Sequence, residues 1–295
     1  MLRSLVTVVA LVVFVGGTTV PFAAQRSMNV TTNTRGEVVT ACDQIEVTFD
    51  RRSALTAEER QTIPRASVRT LVAQAARNGG VYVHGSERAD YEVTLCKATA
   101  GSDVAFSDIT LSSSNGVVTA KGPSRDGWIS FLVIATPRNA SLELTSSDGP
   151  VGLYGVSGTV KARTTNGPLS LKNCSGTIDV EADNGPISIS GGAGSVRVRT
   201  QSGPLTVRLE GTSWSGDGLD ARTHNGPLSL RLPIAYQGGV DLEMSSHSPF
   251  SCKGSICGQS RRGWDDQGRS LHLAGSPTRV RVTSVNGPVS VGTSR

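Results

Sequence analysis

Apolar and polar residues alternate along most of the chain in short stretches that are separated by glycine. Gly-Pro pairs recur every 18 residues from Gly149 to Gly203 and appear again at Gly226 and Gly287. Other glycines lie halfway between them, so the repeating unit is nine residues with two alternate apolar positions. The regular apolar pairs are Val151/Leu153, Val160/Ala162, Leu169/Leu171, Ile178/Val180, Ile187/Ile189, Val196/Val198 and Leu205/Val207. The register extends to Ile109/Leu111, Val118/Ala120, Val133/Ala135, Leu142/Leu144, Leu228/Leu230, Leu271/Leu273, Val280/Val282 and Val289/Val291.

This pattern predicts short β-strands that each bury one face. Two strands and two turns make a coil of about 18 residues, and stacked coils bury their apolar columns against each other. The predicted fold is therefore an all-β, parallel β-solenoid of the β-helix or β-roll type with two sheets. A left-handed hexapeptide helix would repeat its apolar residues every six positions, which this chain does not. Parallel crossovers favour a right-handed coil.

The turns have a composition that suits a stacked coil. Glycine supplies backbone freedom at the corner, and proline takes the first strand position, where the hydrogen-bonded ladder has not begun. Asparagine precedes the Gly-Pro pair at Asn166, Asn184, Asn225 and Asn286, with Asp148 and Ser202 in equivalent places. We expect these amides to stack into a ladder that stabilises the coils.

The outward positions differ between the two predicted sheets. On the sheet without proline, one column contains Lys161, Asp179, Arg197 and Asp220, and the next contains Arg163, Glu181, Arg199 and Arg222. We interpret these columns as cross-strand ion pairs on a solvated surface. On the proline-bearing sheet the first column contains Gly152, Ser170, Ser188, Thr206, Ser229 and Ser290, flanked by Tyr154, Lys172, Arg208 and Arg231. This strip of hydroxyls is a candidate surface for binding a polysaccharide or for packing against another solenoid. The alternative is that the serines are small polar residues that only keep the surface soluble.

The first residues have the layout of a secretory signal peptide, with Arg3 before the apolar run from Leu5 to Val15 and small residues at Ala23 and Ala24. We expect cleavage near Ala24, with retention as a membrane anchor as the alternative. The predicted division is a signal peptide over 1–24, a polar linker and N-terminal β cap over 25–100, and the solenoid over 101–295, with insertions near 211–218 and 251–269. The expected location is periplasmic, on the cell surface or secreted.

The predicted cap covers the open edge of the solenoid, which would otherwise aggregate. Residues Asn29 to Thr34 are polar and are expected to lack regular structure. A short helix is predicted from Leu55 to Gln61, after Ser53. Strands are predicted over Ile45 to Phe49, Val68 to Gln74, Val81 to Val83 and Tyr91 to Leu95.

Export to an oxidising compartment makes disulfides the expected use of the five cysteines. Among the possible connectivities we favour Cys42 with Cys96 and Cys252 with Cys257, which leaves Cys174 as a buried thiol. The alternative, a zinc site at Cys252 and Cys257, would need a second ligand pair, for which only His247 and His272 are candidates. We expect no metal and no cofactor.

Two irregular segments are candidate binding loops on the rigid scaffold. One contains Trp214 with Asp217 and Asp220. The other runs from Ser251 to Arg269, and its candidate binding residues are Arg261, Arg262 and Trp264. An exposed tryptophan beside Asp and Arg suits stacking on a sugar ring, and the alternative is a tryptophan that covers the core.

Composition and motifs restrict the chemistry further. The net charge is +5 and the isoelectric point about 9.1, but the basic residues are spread along the chain, so nucleic acid is not an expected partner. The sequence has no nucleophile elbow, phosphate loop, dinucleotide fingerprint or His-Glu-x-x-His motif, and its turns lack the acidic residue of calcium β-rolls. Glycan cleavage by paired carboxylates is the rival activity. Its candidates are Asp265 with Asp266, or Asp217 with Asp220.

The signal-like segment, the serial Asn-Gly-Pro-apolar-Ser-apolar turns and the sequence Pro137-Arg138-Asn139-Ala140-Ser141-Leu142 together resemble the putative-adhesin family of bacterial β-strand-repeat proteins, a domain of unknown function. The resemblance covers about residues 68–295. It implies a surface or periplasmic β-solenoid and brings no catalytic residues.

We therefore predict an exported, non-enzymatic β-solenoid that serves as an adhesin-like binding or structural module of the cell envelope. Its expected partners are an envelope polysaccharide, a surface protein or a further copy of itself. The alternatives are a polysaccharide-active enzyme and a scaffold that self-assembles end to end.

Overall fold

The computed structural model describes residues 27–32, 38–76, 78–101, 104–258, 260–264, 268–273 and 275–294. The predicted signal peptide lies outside these residues. Within them, no helix has the length and apolar character needed to cross a bilayer. The secondary structure consists of β-strands and four short 3₁₀ helices, at Cys42–Gln44, Arg65–Ser67, Phe106–Asp108 and Ser255–Cys257.

The strands run in chain order as β1 Met28–Thr32, β2 Ile45–Phe49, β3 Arg52–Ser53, β4 Leu55–Ile63, β5 Leu71–Gln74, β6 Val81–Ser86, β7 Tyr91–Thr99, β8 Thr110–Ser114, β9 Val117–Lys121, β10 Trp128–Pro137, β11 Ser141–Ser146, β12 Val151–Tyr154 and β13 Thr159–Thr164. They continue as β14 Leu169–Lys172, β15 Thr177–Ala182, β16 Ile187–Ser190, β17 Ser195–Ser202, β18 Leu205–Arg208, β19 Gly218–Asn225, β20 Leu228–Pro233, β21 Gly239–Ser245, β22 Phe250–Cys252, β23 Arg261–Trp264, β24 Gly268–Leu273, β25 Thr278–Asn286 and β26 Val289–Ser294.

These strands form two large sheets and one small one. The first large sheet, here called the proline sheet, has the order β22-β26-β20-β18-β16-β14-β12-β6-β10-β7-β4. The second, here called the charged sheet, has the order β23-β24-β21-β25-β19-β17-β15-β13-β11-β5-β9-β8. Strands β1, β2 and β3 form a separate antiparallel sheet, here called the N-terminal sheet. The prediction of an all-β solenoid with two opposed sheets is confirmed.

The middle of the molecule, from β11 to β20, is built from coils that stack in chain order. Each strand pairs in parallel with the equivalent strand of the next coil, usually 18 residues away, as in Val160 with Ile178 and Leu169 with Ile187. The separation is 23 residues across the insertion between β18 and β19, as in Leu205 with Leu228. The apolar columns face inward, and Val180, Val198 and Leu205 are fully buried. Alternate burial along every middle strand follows directly from the period-two pattern of the sequence.

Three kinds of contact fix the turns of these coils. A Cβ atom placed on Gly167 would lie 1.9 Å from the carbonyl oxygen of Gly149, so the backbones of stacked turns touch. The predicted amide ladder is present, since Asn166 donates to Asp148 over 2.7 Å and Asn184 donates to Asn166 over 3.0 Å. A buried hydroxyl three residues before the glycine adds a further bond, for example from Thr223 Oγ1 to the Gly203 carbonyl.

Both ends of the solenoid depart from chain order. At one end, β5 and β6 lie between β9–β10 and β11–β12. At the other end, β25 and β26 lie between β19–β20 and β21–β22. Strands β5 and β6, which fall within the residues expected to form the cap, therefore stack as a coil of the solenoid itself.

Three expectations for the N-terminal third are wrong. Residues 55–63 form strand β4, because the long edge of β7 offers backbone partners along this whole stretch and outweighs the weak local preference for helix. Residues 28–32 form β1, which pairs with β2. In β10 the residues that face the main core are Leu132 and Ile134, and Val133 packs into a second core beneath the N-terminal sheet. Because β10 is buried on both faces, apolar and polar residues do not alternate along it, and the pattern does not show which residues face the main core.

Candidate functional site

The predicted hydroxyl strip is a continuous column on the proline sheet. Ser170, Ser188, Thr206, Ser229 and Ser290 are direct register partners on five neighbouring strands. The first three side chains are exposed, and the last two are half-buried. Since neighbouring strands lie about 4.8 Å apart, the strip presents a hydroxyl at that interval along the solenoid axis.

Two parallel rows border the hydroxyl strip. On one side are the exposed prolines that begin the strands, Pro168, Pro186, Pro204, Pro227 and Pro288. On the other side, the next outward column contains Lys172, Ser190, Arg208 and Arg231 in register. The face thus combines apolar rings, hydroxyls and cations along one direction.

The strip is closed at its N-terminal end. Tyr82 on β6 occupies the same column, and a Cβ atom on the neighbouring Gly152 would lie 2.7 Å from its ring. The tyrosine packs against Phe131 beneath the N-terminal sheet, and burial raises its pKa to about 12. The N-terminal sheet therefore covers the column up to Gly152, and the accessible strip begins at Ser170.

The strip opens into a groove of about 450 Å³ at its C-terminal end. Pro249 and Phe250 form one wall of this groove, and Ser251 continues the hydroxyl column as the partner of Ser290. The sequence period did not reveal these residues, because they reach the strip only through the insertion of β26 beside β22.

Trp214, predicted as a binding residue, lies in the core. Its side chain is 6% exposed and its indole Nε1 donates to the Gly194 carbonyl over 3.0 Å. The ring covers the apolar interior where the loop between β18 and β19 leaves the regular coil. This is the alternative role considered above, and Trp214 is not a surface for sugar stacking.

The predicted loop residues lie on the opposite sheet from the hydroxyl strip. Arg261 and Arg262 are exposed on β23, the edge strand of the charged sheet, where Arg261 pairs with His272. Trp264 ends the same strand, and its side chain lies outside the described part of the chain. The structure does not bring these residues together with the strip, so the two candidate regions are separate.

Both predicted disulfides are present. The first disulfide joins Cys42, in the 3₁₀ helix that precedes β2 of the N-terminal sheet, to Cys96 on β7. The second joins Cys252 and Cys257 and closes a loop at the end of β22. Cys174 is a buried free thiol whose pKa is raised by burial, an effect that hydrogen bonds with the backbone at Val156, Lys172 and Gly155 oppose. Its sulfur also donates a hydrogen bond to the Lys172 carbonyl. The disulfides are therefore structural links at the two ends, and the thiol belongs to the core.

The carboxylates considered for glycan cleavage form no enclosed site in the described part of the chain. Asp217 and Asp220 are both exposed, and Asp265 and Asp266 lie outside the described residues. Among the described residues no Asp or Glu side chain is buried, and no group of three His, Cys, Asp or Glu residues is placed to hold a metal ion.

The charged sheet confirms the two predicted columns. Lys161, Asp179, Arg197 and Asp220 are direct register partners, as are Arg163, Glu181, Arg199 and Arg222. The first column also includes residues that the sequence analysis did not place, namely Glu143, Arg281, Asp241 and His272. Arg163 and Glu181 form an ion pair in the second column.

The chain matches the model of a protein family described as Toastrack DUF4097 over residues 15–245. No curated protein matches it. A solved structure of a putative cell adhesion protein from Clostridium sporogenes shares 8% identity over 81% of this chain and 100% of its own, with a TM-score of 0.33. A putative adhesin from Bacteroides fragilis shares 12% identity over 81% and 97%, with a TM-score of 0.29. A putative lipid binding protein from Parabacteroides distasonis shares 10% identity over 81% and 97%, with a TM-score of 0.32.

Proposed function

Because the chain belongs to the Toastrack DUF4097 family, we propose that it is an exported, non-enzymatic β-solenoid that acts as an adhesin-like binding module of the cell envelope, with the hydroxyl strip as its contact for polysaccharide. The observation that carries this proposal is the in-register, exposed column of Ser170, Ser188 and Thr206. An extended glycan presents hydroxyl groups at regular intervals and needs an equally regular surface of donors and acceptors.

Three further features support a surface role. The proline row supplies rigid apolar rings beside the hydroxyls, which suits the apolar faces of sugar rings. The basic column ending in Arg208 and Arg231 suits acidic sugars. The groove beside Phe250 gives the strip a recessed end. Hydroxyls and rings held on a stacked scaffold lose little conformational entropy on binding.

The two disulfides support a location outside the cytoplasm, because such bonds persist in oxidising compartments. The proposal therefore includes export to the periplasm, the cell surface or the medium.

The test is co-sedimentation of the purified protein with isolated envelope polysaccharides, with released oligosaccharides measured in the same tubes. We expect sedimentation without release. Replacing Ser188 and Thr206 by lysine should abolish sedimentation, because the longer side chains fill the strip. Lysine at Ser147 and Thr165, which are exposed on a turn away from the strip, is the matched control and should leave sedimentation intact. Absence of sedimentation would overturn the binding role, and release of oligosaccharides would overturn the non-enzymatic one.

A further inference from the structure

The first outward column of the charged sheet alternates between acidic and basic residues across eight neighbouring strands, and Arg261 on the edge strand β23 follows the last of them, His272. In spatial order this column, here called the charge ladder, contains Glu143, Lys161, Asp179, Arg197, Asp220, Arg281, Asp241 and His272. The alternation continues through the coil that is inserted out of chain order, so it belongs to the assembled face and not to one sequence repeat. The ladder is about 34 Å long at the usual strand spacing.

Five of the eight ladder residues form no ion pair with the part of their own chain that the structure describes. Within the described residues the ladder has one internal side-chain contact, between His272 Nδ1 and Asp241 Oδ1 at 2.7 Å, which is an ion pair only when the histidine is protonated. Arg281 lies 3.8 Å from Glu243 in the next column. The other five make no ion pair with any described residue, although each has an opposite charge on the adjacent strand. Those five side chains are exposed, and four of them line a groove of about 510 Å³ with short hydroxyl residues beside it.

The ladder alternates between acidic and basic residues and has an even number of members. When a second copy is laid over it in reverse order, each acidic residue therefore lies opposite a basic one. Consider a second copy laid face to face, with a twofold axis along the strand direction between β17 and β19. This operation reverses the order of the strands and keeps each outward column opposite itself. Arg197 then faces Asp220 of the second copy, and Asp179 faces Arg281 of the second copy. Lys161 faces Asp241, and Glu143 faces His272, so every acidic residue of the ladder meets a basic one. The rung that contains His272 is an ion pair only when its imidazole is protonated.

We infer that the charged sheet is a self-association surface, on which two copies of this chain form an antiparallel, twofold-symmetric dimer held by the charge ladder. An isologous interface of this kind closes on itself and produces a dimer. Its contacts are exposed ion pairs, each of small energy and screened by salt, so the dimer is weak and its affinity falls with ionic strength. The two hydroxyl strips then point outward on opposite sides. The inference does not depend on what those strips bind.

The second outward column gives a further test of the proposed dimer geometry. The same axis places Arg163 opposite Glu243 of the second copy, which is favourable, but it places Arg199 opposite Arg222, which is not. Replacing Arg222 by glutamate should therefore tighten the dimer. An explanation based only on pairs within one chain gives no reason for this change to affect association.

The experiment is sedimentation velocity of the full chain across a range of protein and salt concentrations. We expect a monomer–dimer equilibrium that shifts to monomer as salt rises. R197E places two like-charge contacts at the axis and should weaken dimerisation roughly tenfold or more, as should D220R. An equimolar mixture of R197E and D220R should dimerise again, because each altered residue then faces an opposite charge. R208E, on the opposite face, is the control for the same change in net charge.

All of these residues are exposed, so the variants should fold, and circular dichroism checks that they do. A protein that is monomeric at all salt concentrations would overturn the inference. So would a dimer that R197E leaves unchanged, a mixture that fails to restore dimers, or assembly into open-ended filaments.

Discussion

The middle coils and the two ends of this solenoid are built from the same strands and glycine turns, but they are assembled by different rules. From β11 to β20 each coil lies beside the coil that precedes it in sequence. At each end one coil lies between two others that are adjacent in sequence, and a disulfide is present nearby. A repeating chain can therefore extend by local addition, whereas closing its ends requires contacts between distant segments.

The largest effect should follow from removing the inserted C-terminal coil, residues 275–294. Among the strands that the structure describes, β22 pairs only with β26, and β21 is joined to the stack only through β25. We expect β21 to β24 to lose protection from hydrogen exchange, while β13 to β16 keep theirs, because each coil depends mainly on its neighbours. Removal of residues 27–32, which form an edge strand of the N-terminal sheet, is the control and should leave β21 to β24 protected. Continued protection of those strands after the first deletion would contradict the comparison.

The two disulfides should differ in their contribution to stability. Cys42 and Cys96 are 54 residues apart, and Cys252 and Cys257 are 5 apart. The chain-entropy model gives about 4 kcal/mol for the longer loop and about 2 kcal/mol for the shorter one. Urea denaturation of the C42A/C96A and C252A/C257A variants measures both, with C174A as the control for loss of a buried sulfur. Equal losses of unfolding free energy in the two double variants would show that the Cys42–Cys96 disulfide does not act by restricting the unfolded chain.

A glycine of the middle coils should be nearly irreplaceable by alanine. The Cβ atom added in G167A would lie 1.9 Å from the Gly149 carbonyl oxygen, so two stacked coils would have to separate. We expect a loss of about 3 kcal/mol or more in the free energy of unfolding. At the C-terminal end, G258A meets no atom closer than 3.6 Å and should change stability little. Thermal unfolding of the two variants measures the difference, and a mild G167A would mean that the coils are loosely stacked.

The smallest effect is a pH dependence confined to the N-terminal end. Burial lowers the pKa of His84 below its ordinary value of 6.5, with Glu92 opposing the shift and Arg88 adding to it. The unfolded chain then binds more protons than the folded chain as the pH falls below 6.5. Stability is therefore fully present above pH 6.5 and declines below it. Denaturation at a series of pH values should show a smaller decline for H84Q than for the natural chain. An identical decline would assign the effect to another group.

The difference between the middle coils and the two ends explains how much of the fold could be predicted from the sequence. The middle coils follow from a nine-residue period, because each strand pairs with the equivalent strand of the next coil and the two alternate positions of each repeat are apolar and buried. The position of β25 could not be predicted, since its pairing with both β19 and β21 depends on strand order and not on local pattern. The local pattern predicts a helix where β4 lies for the same reason, since the pairing of β4 with β7 also depends on strand order.

The candidate surfaces were predictable to a similar extent. The strip from Ser170 to Thr206 lies within the regular coils and could be aligned by counting residues. Pro249 and Phe250 could not, because their contact with the strip depends on the inserted β26. The charge ladder could be aligned only from Lys161 to Asp220, and its remaining members require the spatial order of strands. The burial of Trp214 could not be predicted from the sequence. This residue lies in an insertion, where the period that distinguishes inward from outward positions is interrupted.

The inserted coil also determines when the protein can finish folding. Strands β21 to β24 are synthesised before β25 and β26, but they join the stack only after the later strands have occupied the space beside β19 and β20. During synthesis the apolar edge of the growing stack therefore stays open until β25 and β26 emerge. Closure of this end of the solenoid thus depends on β25 and β26, so a chain interrupted before them exposes an unpaired edge that proteases and chaperones recognise.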